Sequence, residues 1–201
     1  AITTPTADTT PSVVITTTQA GTIAVGGTTG CAIGSAAVSS GEQTLTLSTI
    51  TQGDGAYTCT ITFTDTAGNA AGALTLTAFT LDNAVATPSE TTAITTPTTD
   101  TTPSVVITTT QAGTIVVGGT SGCAIGSAAV VSGQQTLTLS TITAGDGAYT
   151  CTITFTDSAG NAADALTLTA FTLDTTANTP SEATAVSTPT NDATPDVVIT
   201  T

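Results

Sequence analysis

The chain contains no Lys, Arg, His, Met or Trp. Its 14 acidic residues therefore stand without a side-chain counter-charge, for a formal net charge of −14 over 201 residues. A surface without cations does not neutralise phosphates, which excludes nucleic acid and anionic membrane surfaces as partners. Catalytic triads, Schiff-base lysines, arginine fingers and imidazole metal ligands need the same missing residues, so the expectation is a non-enzyme. No run approaches the ~20 apolar residues of a membrane span, and no basic segment precedes an apolar one as in a signal peptide.

Aromatic residues are scarce at 3%, and Thr fills roughly a quarter of the chain, a bias that by itself suggests disorder. Hydropathy argues the other way. The mean hydropathy is +0.35, 39% of residues are hydrophobic and 7% are charged, so the chain is apolar enough to collapse and fold.

Self-comparison sets the organisation. Ala1-Ile2-Thr3-Thr4-Pro5 recurs as Ala93-Ile94-Thr95-Thr96-Pro97, and the offset of 92 also carries Cys31 to Cys123, Tyr57 to Tyr149, Cys59 to Cys151 and Asp65 to Asp157. The two copies differ at 13 of 92 positions. A third begins at Ala185 and reaches its first apolar run, Val197-Val198-Ile199. We divide the chain into repeat 1 (residues 1–92, core about 11–82), repeat 2 (93–184, core about 103–174) and the start of repeat 3 (185–201). A period of 92 residues is too long for a helical or leucine-rich solenoid and suits one small autonomous domain.

Within a repeat the pattern has period two. Tyr57, Cys59, Ile61 and Phe63 alternate with Thr58, Thr60, Thr62 and Thr64, which describes a strand with one buried face and one wet face. Further strands are expected at Val13–Thr17, Thr22–Val25, Ala36–Ser39, Thr44–Ile50 and Ala73–Leu81. In the last, the apolar parity switches between Leu76 and Phe79, which suggests a bulge near Thr77 and Ala78. Six or seven short strands with Gly-rich turns between them, and no 3.6-residue period, predict an all-β fold of tandem β-sandwich modules.

Each repeat has two Cys, 28 residues apart. Without His or a Cys-x-x-Cys pair, zinc would need four thiolates from two modules. A disulfide inside each module, Cys31 with Cys59 and Cys123 with Cys151, is the favoured reading; it would stabilise a small core by roughly 3 to 4 kcal/mol and would imply export to an oxidising compartment. Two buried thiols are the alternative.

Tyr57 and Tyr149 each stand two residues before the second Cys, the placement of the tyrosine corner that opens strand F of immunoglobulin-like domains. Thr6–Pro11, Thr98–Pro103 and Thr190–Pro195, then Ala20-Gly21-Thr22-Ile23, Thr64-Asp65-Thr66-Ala67-Gly68-Asn69 and Phe79-Thr80-Leu81-Asp82, carry a wider likeness. Through them the chain resembles the bacterial Ig-like repeats of long secreted adhesins and surface filament proteins. That resemblance covers both full repeats and implies a seven-stranded sandwich in an extracellular rod. Cys31 follows strand B instead of lying within it, and no Trp backs the bridge, so the usual B-to-F link is not implied.

With no internal cation, clustered carboxylates must be solvated, protonated or matched by an external ion. An Ig-like topology is expected to put Asp8, Asp65 and Asn69 at one pole of a module and Asp54 and Asp82 at the other. Across the junction, Asp54 and Asp82 would then face Asp100, Asp157 and Asn161. Oxygen ligands on loops suit Ca²⁺, and the resemblance implies calcium at junctions that stiffen the rod. The plainer reading makes these Asp residues turn formers or solvated charges. Glu42 and Asp164 have no acidic counterpart in the sister repeat, where Gln134 and Gly72 stand. Asp65-Thr66-Ala67-Gly68 departs from the Asp-Thr-Gly of aspartic proteases by its inserted Ala.

The function expected from these features is a structural, non-catalytic stalk or filament segment of an extracellular bacterial surface protein, whose partners are neighbouring copies of the module; no receptor is identified. Two alternatives remain open. The outward Thr rows, Thr58 to Thr64 with Thr75 and Thr77, would form a flat face for ice or glycan. A terminal strand centred on Val197, Val198 and Ile199 would complete a neighbour's sheet.

Overall fold

The computed structural model describes all residues except 28, 29, 34, 35 and 121, together with the side chains of 126 and 127. Every regular element among the described residues is a β-strand. The first module carries β1 (Ser12–Thr17), β2 (Gly21–Gly27), β3 (Ala36–Val38), β4 (Gly41–Thr46), β5 (Gly55–Tyr57), β6 (Cys59–Asp65), β7 (Leu74–Thr75) and β8 (Phe79–Leu81). β9 (Ser89–Thr92) lies in the linker. The second module repeats the set as β10 (Ser104–Thr109), β11 (Gly113–Gly119), β12 (Ile125–Val130), β13 (Gly133–Thr138), β14 (Gly147–Tyr149), β15 (Cys151–Asp157), β16 (Leu166–Thr167) and β17 (Phe171–Leu173). β18 (Ser181–Thr184) and β19 (Val198–Thr200) follow.

Each module has a four-stranded antiparallel sheet, β3-β2-β6-β7 or β12-β11-β15-β16. Facing it are β1 with β4, or β10 with β13, and the short pairs β5–β8 and β14–β17. The alternation that defines the strands also defines the core: Cys59 and Ile61 are buried while Thr62 between Ile61 and Phe63 is exposed. Thr fits the wet face because its branched Cβ suits the pleat and its hydroxyl faces water.

The predicted strand from Tyr57 to Thr64 is divided between two pairings. Gly55–Tyr57 pair with β8, whereas Cys59–Asp65 pair with β2 and β7. The partner segment divides in step, at the position of the expected bulge: β7 ends at Thr75 and β8 begins at Phe79. The strand expected over Thr44–Ile50 ends at Thr46; beyond it, Leu47 and Ile50 stay buried as their N–H groups donate to the carbonyls of Pro11 (3.0 Å) and Thr9 (2.9 Å).

The incoming chain runs parallel to β8. Thr6 bridges Leu81, donating to Thr80 O at 3.0 Å and accepting from the Asp82 N–H at 2.9 Å. This parallel course corrects one expectation. Asp8 lies beyond Thr6, at the end where β8 finishes, and not with Asp65 and Asn69 in the turn after β6.

The linker is built into the second module. β9 pairs with β10 in an antiparallel ladder, Thr92 opposite Val106, Glu90 opposite Ile107 and Ser89 opposite Thr108, with a register shift between the first two pairs. Ala86 and Ile94 join one continuous apolar cluster with Val105, Ile107, Ile115 and Phe155. In the first module the buried apolar residues fall into two clusters instead.

Candidate functional site

Two constructions stand out, a covalent clamp inside each module and the joint between modules. The clamp begins with the disulfides Cys31–Cys59 and Cys123–Cys151, each with Cα atoms 5.5 Å apart. Cys59 opens β6 opposite Gly27, and Cys31 lies past the end of β2, so the bridge ties the segment after β2 to the start of β6. The Tyr57 hydroxyl donates to Gly53 O at 2.6 Å, and Tyr149 to Gly145 O at 2.5 Å, which completes the tyrosine corner in both modules. Tyr57 stacks on Phe79, and Tyr149 on Phe171, with ring centroids 5.6 Å apart. Gly30 sits against this ring with φ +105°, and a Cβ there would lie 2.9 Å from Tyr57 Cε1. Only glycine combines that backbone with that approach.

The joint is made where the first module ends. Asn161 Nδ2 donates to Asp82 O at 2.7 Å and to Asp157 Oδ2 at 2.9 Å, so a single carboxamide spans the two modules. The Gln111 carboxamide lies between Asp82 and Asp157. With its nitrogen toward the acceptors it donates to Asp157 Oδ2 (3.1 Å) and Ala84 O (3.3 Å); turned over, its nitrogen is 3.4 Å from Asp82 Oδ2. Asp157 is 7% exposed. Burial pushes its carboxyl up, but the Asn161 side chain and the N–H groups of Asn161, Ala159 and Gly160 outweigh it and hold Asp157 below the usual carboxylate range. Farther along the linker, Glu90 Oε2 accepts from both N and Oγ1 of Thr169 at 2.8 Å, and Glu90 Oε1 is buried without a hydrogen-bond partner among the described residues.

Of the expected junction residues, Asp82, Asp157 and Asn161 are thus brought together. Asp54 lies on the same side, with Oδ1 accepting from the Asn83 N–H at 2.7 Å. Asp100 is not at the junction. Thr98 bridges Leu173 and accepts from the Asp174 N–H, so Asp100 belongs to the far end of module 2, where its Oδ1 accepts from Thr102 N and Oγ1. The five-residue set expected to hold Ca²⁺ is therefore not assembled as drawn: Asp100 lies elsewhere, among the described residues no three acidic, His or Cys side chains converge, and Asp157 Oδ2 already accepts from Asn161 Nδ2.

The Thr rows are interrupted. Thr64, Thr62 and Thr60 of β6 stand opposite Thr22, Ala24 and Gly26 of β2, with Thr75 on the other side of Thr60. Val198 and Ile199 pair with Thr184 and Glu182 of the same chain, and Val197 precedes that strand, so the expected donor run is engaged with the end of repeat 2. Sequence reasoning missed Gln111, Glu90 and Thr169. A signal existed: five of the 13 differences between the repeats fall within 83–92 against 175–184, the stretch that makes the joint.

Two-layer antiparallel modules in series, each with a disulfide and a tyrosine corner, define an immunoglobulin-like repeat protein. Residues 4–83 and 84–175 match the bacterial Ig-like domain family, and the chain belongs to that family. The second match begins at Ala84, in the linker that the fold assigns to module 2. Among solved structures the chain is similar to the fibronectin(III)-like modules of Clostridium thermocellum CbhA, with 12% identity and a TM-score of 0.44 over 86% of this chain and 93% of that one. No curated protein matches it. Domains of this kind are typically non-catalytic.

Proposed function

We propose that the chain is a non-catalytic spacer, a stalk or filament segment of an extracellular bacterial surface protein in which tandem modules hold a fixed geometry. The observation that carries this reading is the joint. A linker that pairs as β9, buries Ala86 and Ile94 and is tied by Glu90 to Thr169 removes most of the freedom of an ordinary connector. Two disulfides favour an oxidising, extracytoplasmic setting. A chain with no His, Lys or Arg lacks the groups most used for acid–base and nucleophilic chemistry.

Small-angle scattering with residual dipolar couplings tests the proposal. A spacer gives one inter-module orientation that fits both data sets, and Asn161→Ala together with Glu90→Ala broadens it. Two independent orientation tensors for the unaltered modules would reject the reading. Protease shaving and surface labelling of the source cells test the location.

A further inference from the structure

The linker runs the length of module 2 before it joins the sandwich. It enters beside the turn after β15, where Asn161 Nδ2 holds Asp82 O at 2.7 Å, and continues as β9 antiparallel to β10. At the far end Thr96 Oγ1 accepts from the Thr172 N–H at 2.9 Å and Thr98 bridges Leu173. The chain leaves β17 at that same end, since the Asp174 N–H donates to Thr98 O at 2.9 Å. Thr98 and Asp174 thus lie side by side, and residues 84–95 alone carry the chain from the joint to that pair.

The two parts of this path are held unequally. Ser89, Thr91 and Thr92 of β9 are exposed, and a register shift interrupts the ladder on β10. Two side-chain ties hold the strand, Glu90 to Thr169 and the Thr91 hydroxyl to that of Thr108 at 2.8 Å. Docking it also has a cost: Glu90 Oε1 is buried without a hydrogen-bond partner among the described residues, and undocking returns that oxygen to water. Beyond Thr96 the hold is firmer. β11 and β15 pair without a break from Gly113–Asp157 to Gly119–Cys151, over the buried Ile153 and Phe155, and the Cys123–Cys151 disulfide closes that end. Tension between the modules arrives at Asn83, so it loads the weaker part first.

We propose that residues 84–95 are a strap that tension between the modules peels from β10, turning the rigid joint into a flexible tether while the sandwich from Thr96 to Asp174 stays folded. The joint and the strap let go as one event, because Asp82 and Ala84, which meet Asn161 and Gln111, stand at the head of the strap. The freed segment spans at most about 40 Å. It stays covalently attached at Thr96, which keeps its local concentration on its own docking surface high, so it returns when the tension falls. The load that reaches the disulfide-clamped sandwich is limited in this way. The proposal takes the source of the tension from the spacer reading; the two states of the strap do not require it.

Optical-tweezers measurements on the 201-residue chain, held by tags at its two ends, test the strap. The control is Thr91→Cys with Thr108→Cys, a pair whose hydroxyls already touch, with closure of the bridge across β9 and β10 checked by mass spectrometry. The expected trace of the unaltered chain has a reversible step of no more than about 40 Å at low force. Unfolding of the sandwich follows at higher force and is several times longer, roughly 170 Å for module 2 with the stretch between Cys123 and Cys151 held back by its disulfide. The cross-linked chain loses the short step and keeps the long ones, and Glu90→Ala raises the released fraction at a given low force about fivefold. Short steps identical in the cross-linked and unaltered chains would overturn the proposal, as would release of the strap only together with the sandwich, or a released fraction indifferent to Glu90→Ala. The spacer reading fails separately, on the orientation tensors measured without load.

Discussion

Glu90 and Thr169, 79 residues apart, are joined by two hydrogen bonds of 2.8 Å to one carboxylate oxygen. They fasten the linker to the segment between β16 and β17, so the linker is held on both sides: by backbone pairing to β10 and by this side-chain contact. The remaining residues of β9 are exposed and contribute little burial.

Glu90→Ala should therefore destabilise module 2 by about 1 kcal/mol, since charge-assisted bonds at a half-buried site are stronger than neutral ones but partly screened. Urea unfolding followed by NMR signals of each module would show the loss in module 2 alone. Glu182→Ala, at the equivalent place in the exposed β18, should leave the module 2 midpoint unchanged.

Tyr57→Phe removes one hydrogen bond and leaves the carbonyl of Gly53 to water, while the ring keeps its stacking on Phe79. The expected cost is about 1 kcal/mol. Replacing Cys31 and Cys59 together by Ala should cost roughly 3 kcal/mol, because the 28-residue closure restricts the unfolded chain. Equal losses for the two changes, measured by denaturation of the otherwise unaltered protein, would refute this division of labour.

Strands that bury one face were legible from the sequence. Tyr57, Cys59 and Ile61 alternate with Thr and are buried as their phase requires, and the parity switch near Thr77 marks the gap between β7 and β8. β9 was not legible, since Ser89-Glu90-Thr91-Thr92 has no apolar alternation; an edge strand that anchors itself through one carboxylate leaves no periodic trace. Asp100 was misplaced for a different reason. Its position depends on the incoming chain running parallel to β17, a long-range pairing that local pattern does not encode.

Asp157 makes the joint sensitive to acid. Its carboxyl titrates below the ordinary value of 3.8 in the folded protein, so the stabilisation is present above that value and is lost as pH falls through the lower, folded one. Asp157→Asn should reduce the difference in urea midpoint between neutral pH and pH near 2, and should loosen the inter-module orientation at neutral pH, because the new amide faces the Asn161 donor. Asp65 is lowered by the same kind of bonds, chiefly from the Asn69 side chain, and in these 201 residues its carboxylate is bonded within its own turn, by Ala67 and Asn69. Asp65→Asn should reduce the acid dependence while leaving orientation unchanged, which separates the local turn from the joint.

Burial predicts unequal modules within these 201 residues, where β1 pairs with β4 alone among the described residues and β10 pairs with both β13 and β9. The two differ little in sequence, yet Phe155 is fully buried and Phe63 only half, and Leu168 is buried where Leu76 is half-exposed. Covering these side chains completes burial worth a few tens of cal/mol per Å², set against the cost of ordering the added strand. Fusing Ala-Val-Ala-Thr-Pro-Ser-Glu-Thr-Thr ahead of Ala1, the sequence of residues 84–92, should raise the stability of module 1 by roughly 1–3 kcal/mol and bring its unfolding midpoint toward that of module 2. Hydrogen exchange should show new protection at Val14 and Thr16, the β1 counterparts of Val106 and Thr108. The same extension carrying Ala in place of its Glu should recover less. If the extension leaves module 1 unchanged, the difference in burial between the modules arises elsewhere, and the assignment of β9 as the missing strand fails with it.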